Sequence, residues 1–173
     1  MATFLFTLYT SDFRYNSESC HIQKYSDDMA VVACVHVGQK KEYRDLLESF
    51  NGWTKKNCLL LNPTKTKELV VDFRICRTPY QSVCIDGGEI EIVQTCIYLG
   101  VLLDNKLEWS ANIEAVYRRG QSRLFFLRRL GSFNVCSDMM CMFYYTIIES
   151  ALFYAVVCWE SCTTDKTVGV WKN

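Results

Sequence analysis

The pattern of this chain changes at Ser110, and that change limits the folds open to it. Before Ser110, short runs of strand-forming residues alternate with turn signals. After it come two stretches with the length and spacing of long helices. A strand repeats every two residues and a helix about every 3.6, so the part before Ser110, mostly strands and turns with one helix, differs in kind from the part after it. The order predicts an α+β fold, with a helical part beginning near Ser110. The chain has 173 residues, of which 50% are hydrophobic. That is room for one ordinary domain or slightly more, with a real core.

Local readings follow from the same rules. Residues 4–9 form an apolar run ending at Thr10-Ser11-Asp12, like the tail of a longer element. Residues 21–37 read as two strands around Tyr25-Ser26-Asp27-Asp28. Residues 39–53 read as a helix, because Tyr43, Leu46, Leu47, Phe50 and Trp53 recur at three- and four-residue spacing. Short strands are expected at 58–61 and 68–73, around the breaker-rich turn Asn62-Pro63-Thr64-Lys65-Thr66-Lys67. A bend with Pro79 covers 74–81. Asp86-Gly87-Gly88 between 83–85 and 89–93 is a hairpin signal. Residues 96–103 read as one strand ending at Asp104-Asn105. Ser110 is expected to cap a helix running to about Leu130, with Gly131 as its stop. The second helix runs from about Ser137 to Cys158.

Composition excludes several classes. Nineteen basic and nineteen acidic residues give a net charge of zero, so bulk charge does not point to nucleic acid. Ten cysteines are scattered without a Cys-x-x-Cys pair, and His21 and His36 are the only histidines. That spacing argues against a structural zinc site. The start Met1-Ala2-Thr3-Phe4 has no basic lead-in, so no signal peptide is expected. The expected setting is intracellular, cytoplasmic or nuclear, with most thiols acting as small core hydrophobes. Residues 139–159 are apolar enough to suggest a membrane span. Glu149 near the middle is costly in lipid, so this stretch reads as a buried helix and no membrane partner is expected. An iron oxygenase needs a His-x-Asp and a distant His, which His21 and His36 cannot supply.

Three features carry possible chemistry. Asp27 and Asp28 are adjacent carboxylates at a hairpin tip. Like charges that close repel, and Mg²⁺ is the usual compensation. A plain polar turn is the other reading, since Ser and Asp favour turns. Between 110 and 134, Arg118, Arg119, Arg123, Arg128 and Arg129 face only Glu114, a net of five minus one, or plus four. Such a face suits a phosphate backbone, and suits equally a solvated surface or an acidic partner. Lys65 and Lys67 sit on a turn from which a lysine could reach a triphosphate.

The ordered pieces resemble the C-terminal half of the reverse transcriptase of LINE-type (non-long-terminal-repeat) retrotransposons. Residues 4–10 look like the end of a helix after the template loop, and Tyr25-Ser26-Asp27-Asp28 like the polymerase Asp-Asp motif. Residues 61–73 look like the lysine-bearing palm motif. Tyr98-Leu99-Gly100-Val101-Leu102-Leu103-Asp104 with Leu107-Glu108-Trp109 looks like the primer-grip hairpin. The helices from Ser110 onward resemble the thumb. The resemblance implies a partial palm over 1–109 and a thumb-like subdomain over 110–173. It implies catalytic Asp27, Asp28 and Lys65, with Asp27 and Asp28 as Mg²⁺ ligands. It assigns the primer end to Tyr98, Leu99 and Gly100, and an RNA template–DNA primer duplex to Arg118, Arg119 and Arg123, with dNTP as co-substrate. The family's fingers and its other catalytic Asp have no counterpart before Phe4. The expectation is therefore a truncated remnant without polymerase activity of its own and with exposed apolar patches. The alternative is a non-catalytic nucleic-acid-binding or helical interaction remnant.

Overall fold

Tyr25 and Asp28 close the first hairpin of the computed structural model, which describes residues 2–36, 40–74 and 80–160. Strands β1 (Cys20–Tyr25) and β2 (Asp28–Ala33) pair antiparallel, as the β-branched run predicts. Helix α1 spans Ala2–Tyr9 and leaves Phe4, Leu5 and Leu8 exposed. Helix α2 spans Lys41–Lys56, and its predicted stripe turns inward: Leu46, Phe50 and Thr54 are buried. Then come β3 (Lys67–Leu69), β4 (Cys84–Ile85), β5 (Gly88–Glu89), β6 (Glu91–Val93), β7 (Thr95–Tyr98) and β8 (Val101–Asp104). Helix α3 spans Ser110–Gly131. After it, α4 (Ser137–Phe143) runs into a π-helical stretch (Tyr144–Glu149), then α5 (Ser150–Leu152) and α6 (Val156–Trp159).

The fold is thus α+β. Among the described residues the strands form four separate two-stranded sheets, β1-β2, β3-β6, β4-β5 and β7-β8. The polymerase palm and thumb expected from the resemblance are not found among the described residues. The chain divides into two compact units: Met1–Glu68 with Thr78–Ile92, and Leu69–Arg77 with Val93–Asn173.

The first unit is organised by aromatic packing. Phe13 meets Phe50 edge-on at 5.1 Å and Trp53 at 5.3 Å between ring centres. Lys24 Nζ lies 5.5 Å from the Phe13 ring and donates to the Thr10 and Phe13 carbonyls. The Asp86-Gly87 loop of the β4–β5 hairpin has φ of +52° and +76°. A two-residue type I′ turn needs both angles positive, which is why Asp-Gly is legible there. Burial, and secondly the charge of Glu68, push the Tyr43 hydroxyl up to about 12. Residues 58–61 are not a strand: Cys58 takes φ +52° and Leu60 is 97% exposed, with no ladder to join. The second predicted strand is also shorter, ending at Leu69.

The core of the second unit is Trp109, Ile113 and Trp159, with Val101, Leu103, Leu107 and Val156 packed around them. The single strand expected over 96–103 is a hairpin, broken at Leu99-Gly100. The buried helix expected near 139–159 is largely exposed: only Ile148 and Trp159 are buried. By length and composition Ser137–Trp159 could still cross a membrane. Its helical run is interrupted at 153–155, where Ala155 has φ +53°. The thiols also differ from expectation. Of the eight described cysteines Cys20 alone is buried, while Cys34, Cys58, Cys84, Cys136, Cys141 and Cys158 are exposed. The Pro79 bend, Cys76, Cys162, Val37 and Gln39 fall wholly or partly outside the described residues.

Candidate nucleic-acid interface

The turn that leads into helix α3 is held together by one carboxylate. Asp104 Oδ1 accepts the N–H groups of Lys106 (2.9 Å) and Glu108 (3.2 Å), and Oδ2 accepts that of Trp109 (3.1 Å). Burial alone would raise the Asp104 pKa, but these backbone donors, with Leu107, hold its carboxyl below the usual range. Trp109 is the N-cap residue at φ +62° and makes no side-chain cap bond. Ser110, expected as the cap, is the first helical residue. Gly131 ends the helix without a positive φ. The left-handed residue that follows is Asn134, at φ +53°.

Ile113, Val116 and Gly120 fix which face of α3 turns inward, since all three are buried. At about 100° per residue, the opposite face carries Arg118, Phe125 and Arg129 in one stripe, flanked by Arg119 and Phe126. All five are exposed, with Phe125 at 60% and Phe126 at 55%. Apolar as they are, the two phenylalanines do not join the inner face. They stand instead among the arginines, edge to face at 5.8 Å between ring centres. A helical wheel drawn from Arg118 places them there, at seven and eight residues on. Arg118 pairs with Glu114 one turn away, in an exposed i,i+4 contact that solvent screens heavily. Arg119, Arg128 and Arg129 have no ion pair among the described residues.

Arg123 behaves differently. It lies toward the inner face, and its Nη1 donates to the Ile147 carbonyl at 2.6 Å. Ile147 sits in the π-helical stretch, where the hydrogen-bond ladder is shifted and a carbonyl is easily left for a side chain. Gly120 allows α3 and α5 to approach: a Cβ there would lie 2.8 Å from Leu152 Cδ2. Arg123 thus joins helices, while its neighbours face solvent.

The remaining predicted residues fall into two groups. Tyr98 ends β7, and Leu99-Gly100 form the β7–β8 loop with φ of +47° and +81°. Tyr154 donates its hydroxyl to the Leu99 carbonyl at 2.6 Å. The Tyr98 hydroxyl is buried without a partner among the described residues. In the first unit, Asp27 lies in the two-residue β1–β2 loop and Asp28 begins β2; both are exposed. Ser26 donates to Asp27 Oδ1 at 2.9 Å, and that bond, with a backbone N–H, lowers the Asp27 pKa. Lys65 is an exposed residue of an Asn62-closed turn, in which Asn62 Oδ1 accepts from Thr64 and Lys65 N–H. Lys67 pairs with Glu91. Among the described residues, no three His, Cys, Asp or Glu side chains cluster closely enough to hold a metal ion.

Comparison with known proteins bears on the helical segment. The model of the family described as "Alkylated DNA repair protein alkB homolog 8, N-terminal" matches residues 109–150. That span runs from the N-cap of α3 to the first residue of α5, well under half of the chain. No curated protein and no solved structure matches. The match corrects the reverse-transcriptase resemblance. The helices read as a retrotransposon thumb belong to a segment that a different family describes, and no reverse-transcriptase family matches. The roles in a polymerase reaction fall with it: a retrotransposon origin, RNA-directed DNA synthesis and nucleotidyl transfer. The blocks that suggested them are short turns and hairpins that recur in unrelated folds.

Proposed function

We propose that residues 109–150 form a non-catalytic nucleic-acid-binding module whose contact face is the Arg118, Arg119 and Arg129 side of α3. One observation carries the reading: three guanidinium groups and two phenyl rings share an exposed helix face whose single carboxylate, Glu114, is already paired. Guanidinium matches phosphate geometry, and an exposed ion pair such as Arg118–Glu114 contributes little, so it can be traded for a phosphate. The match to a family whose printed name concerns repair of alkylated DNA supports a nucleic-acid setting for this segment. Asp27, Asp28, Lys65 and a bound Mg²⁺ have no part in this function. Arg123 supports the face by holding the helix behind it.

The test is an anisotropy titration of a labelled oligonucleotide with the full chain. The triple variant Arg118→Ala/Arg119→Ala/Arg129→Ala is expected to lose binding by on the order of tenfold or more while keeping its helical circular dichroism. Equal binding by the triple variant would reject this face as the contact surface.

A further inference from the structure

The face is not purely electrostatic, and its apolar part narrows the ligand. Phe125 and Phe126 are 60% and 55% exposed on a helix whose inner side is already occupied by Ile113, Val116 and Gly120. Along the axis, Phe125 lies about 10 Å from Arg118 and about 6 Å from Arg129, at about 1.5 Å per residue. The rings are thus bracketed by cations rather than continuous with the hydrophobic core. Their edge-to-face arrangement, with centres 5.8 Å apart, leaves two ring faces at different angles toward solvent. A polyanion with flat apolar groups between its charges complements this pattern.

We infer that the α3 face binds single-stranded nucleic acid, with Phe125 and Phe126 as stacking platforms for unpaired bases and Arg118, Arg119 and Arg129 on the flanking phosphates. This rests on the proposed nucleic-acid function and specifies its ligand. In a duplex the base faces are stacked on one another and out of reach of a phenyl ring. In a single strand each base offers a free face, and stacking on an aromatic side chain is sequence-tolerant. A helix-borne pair of rings therefore selects strandedness rather than sequence.

The experiment uses the full chain and three short probes: oligouridine, an abasic oligomer of the same backbone length, and a duplex. Wild type binds oligouridine at least about tenfold more tightly than either other probe, the loss expected when stacking is removed. Phe125→Ala/Phe126→Ala lowers oligouridine binding to the abasic level and leaves duplex binding unchanged. Phe125→Leu/Phe126→Leu keeps apolar bulk without a π-face and shows the same loss, which separates stacking from folding. Equal binding of all three probes by wild type, or full oligouridine binding by the leucine variant, overturns the single-strand inference while leaving the nucleic-acid function standing. No binding of any probe overturns both.

Discussion

Asp104 shows how one side chain can set the direction of an element. Its carboxylate gathers backbone donors from the turn that leads into α3, while the first N–H groups of the helix itself receive no side-chain cap from Ser110 or from Trp109. The missed signal is that Asp104 holds the turn before the helix, six residues ahead of Ser110, so a search for a capping residue does not find it. Asp104→Asn is expected to cost about 1 kcal/mol at neutral pH, as weakening charge-assisted hydrogen bonds to backbone N–H groups does. The sign of its pH dependence follows from the lowered pKa. The stability is present above the ordinary carboxylate pKa and is lost as pH falls through the lower folded value. Urea midpoints at neutral pH and near pH 3 should differ less in the variant than in wild type. Gly120 makes a second test. Its Cβ would press on the end of Leu152, a side chain that can rotate, and alanine is the better helix former. Gly120→Ala should therefore lie within about 1 kcal/mol of wild type in denaturant unfolding, while Gly120→Leu should lose about 1–3 kcal/mol by overpacking.

Elements were legible wherever local chemistry and tertiary context agreed. The stripe of α2, the β1–β2 pairing and the Asp86-Gly87 hairpin follow from spacing and turn residues alone. The β7–β8 hairpin does not, because Leu99 is a strand-former placed in a left-handed turn. A Leu-Gly pair inside an apolar run reads as continuous strand, and only the ladder reveals the reversal. The conflict is testable. Leu99→Asn should stabilise the chain by about 0.5–1 kcal/mol, and Gly100→Ala should cost about 1–2 kcal/mol at φ +81°. The ring of Tyr154 lies in ordinary contact distance of that Cβ, so the cost is one of backbone conformation. Residues 137–159 failed in another way. Their length and apolarity predicted a buried helix, yet a π-helical stretch and a break at 153–155 leave most of the side chains exposed. Periodicity tells which residues share a face, and does not tell whether anything covers it.

At the scale of the whole molecule, sequence supplied the α+β class and the basic helix, while the family it resembled was not the one matched. Short blocks in a familiar order suggested a polymerase. Each block is a turn, a hairpin or a helix end that local physics produces in many folds, so their order was weak evidence of function. Phe4, Leu60, Phe73, Phe133 and Val157 are each well exposed, at separate places along the chain. The surface proposed to function is α3, where arginine and phenylalanine share a solvent-facing side within the segment that the family model matches. The central claim is that this side neutralises phosphates. The direct measurement is the slope of log K against log salt concentration for a single-stranded oligonucleotide, in wild type and in Arg129→Ala. Each phosphate contact contributes about 0.7 to the slope for single strands. Wild type should show a slope of about −2, and Arg129→Ala should flatten it by about 0.7. A wild-type slope near zero, or one that Arg129→Ala leaves unchanged, would contradict the account.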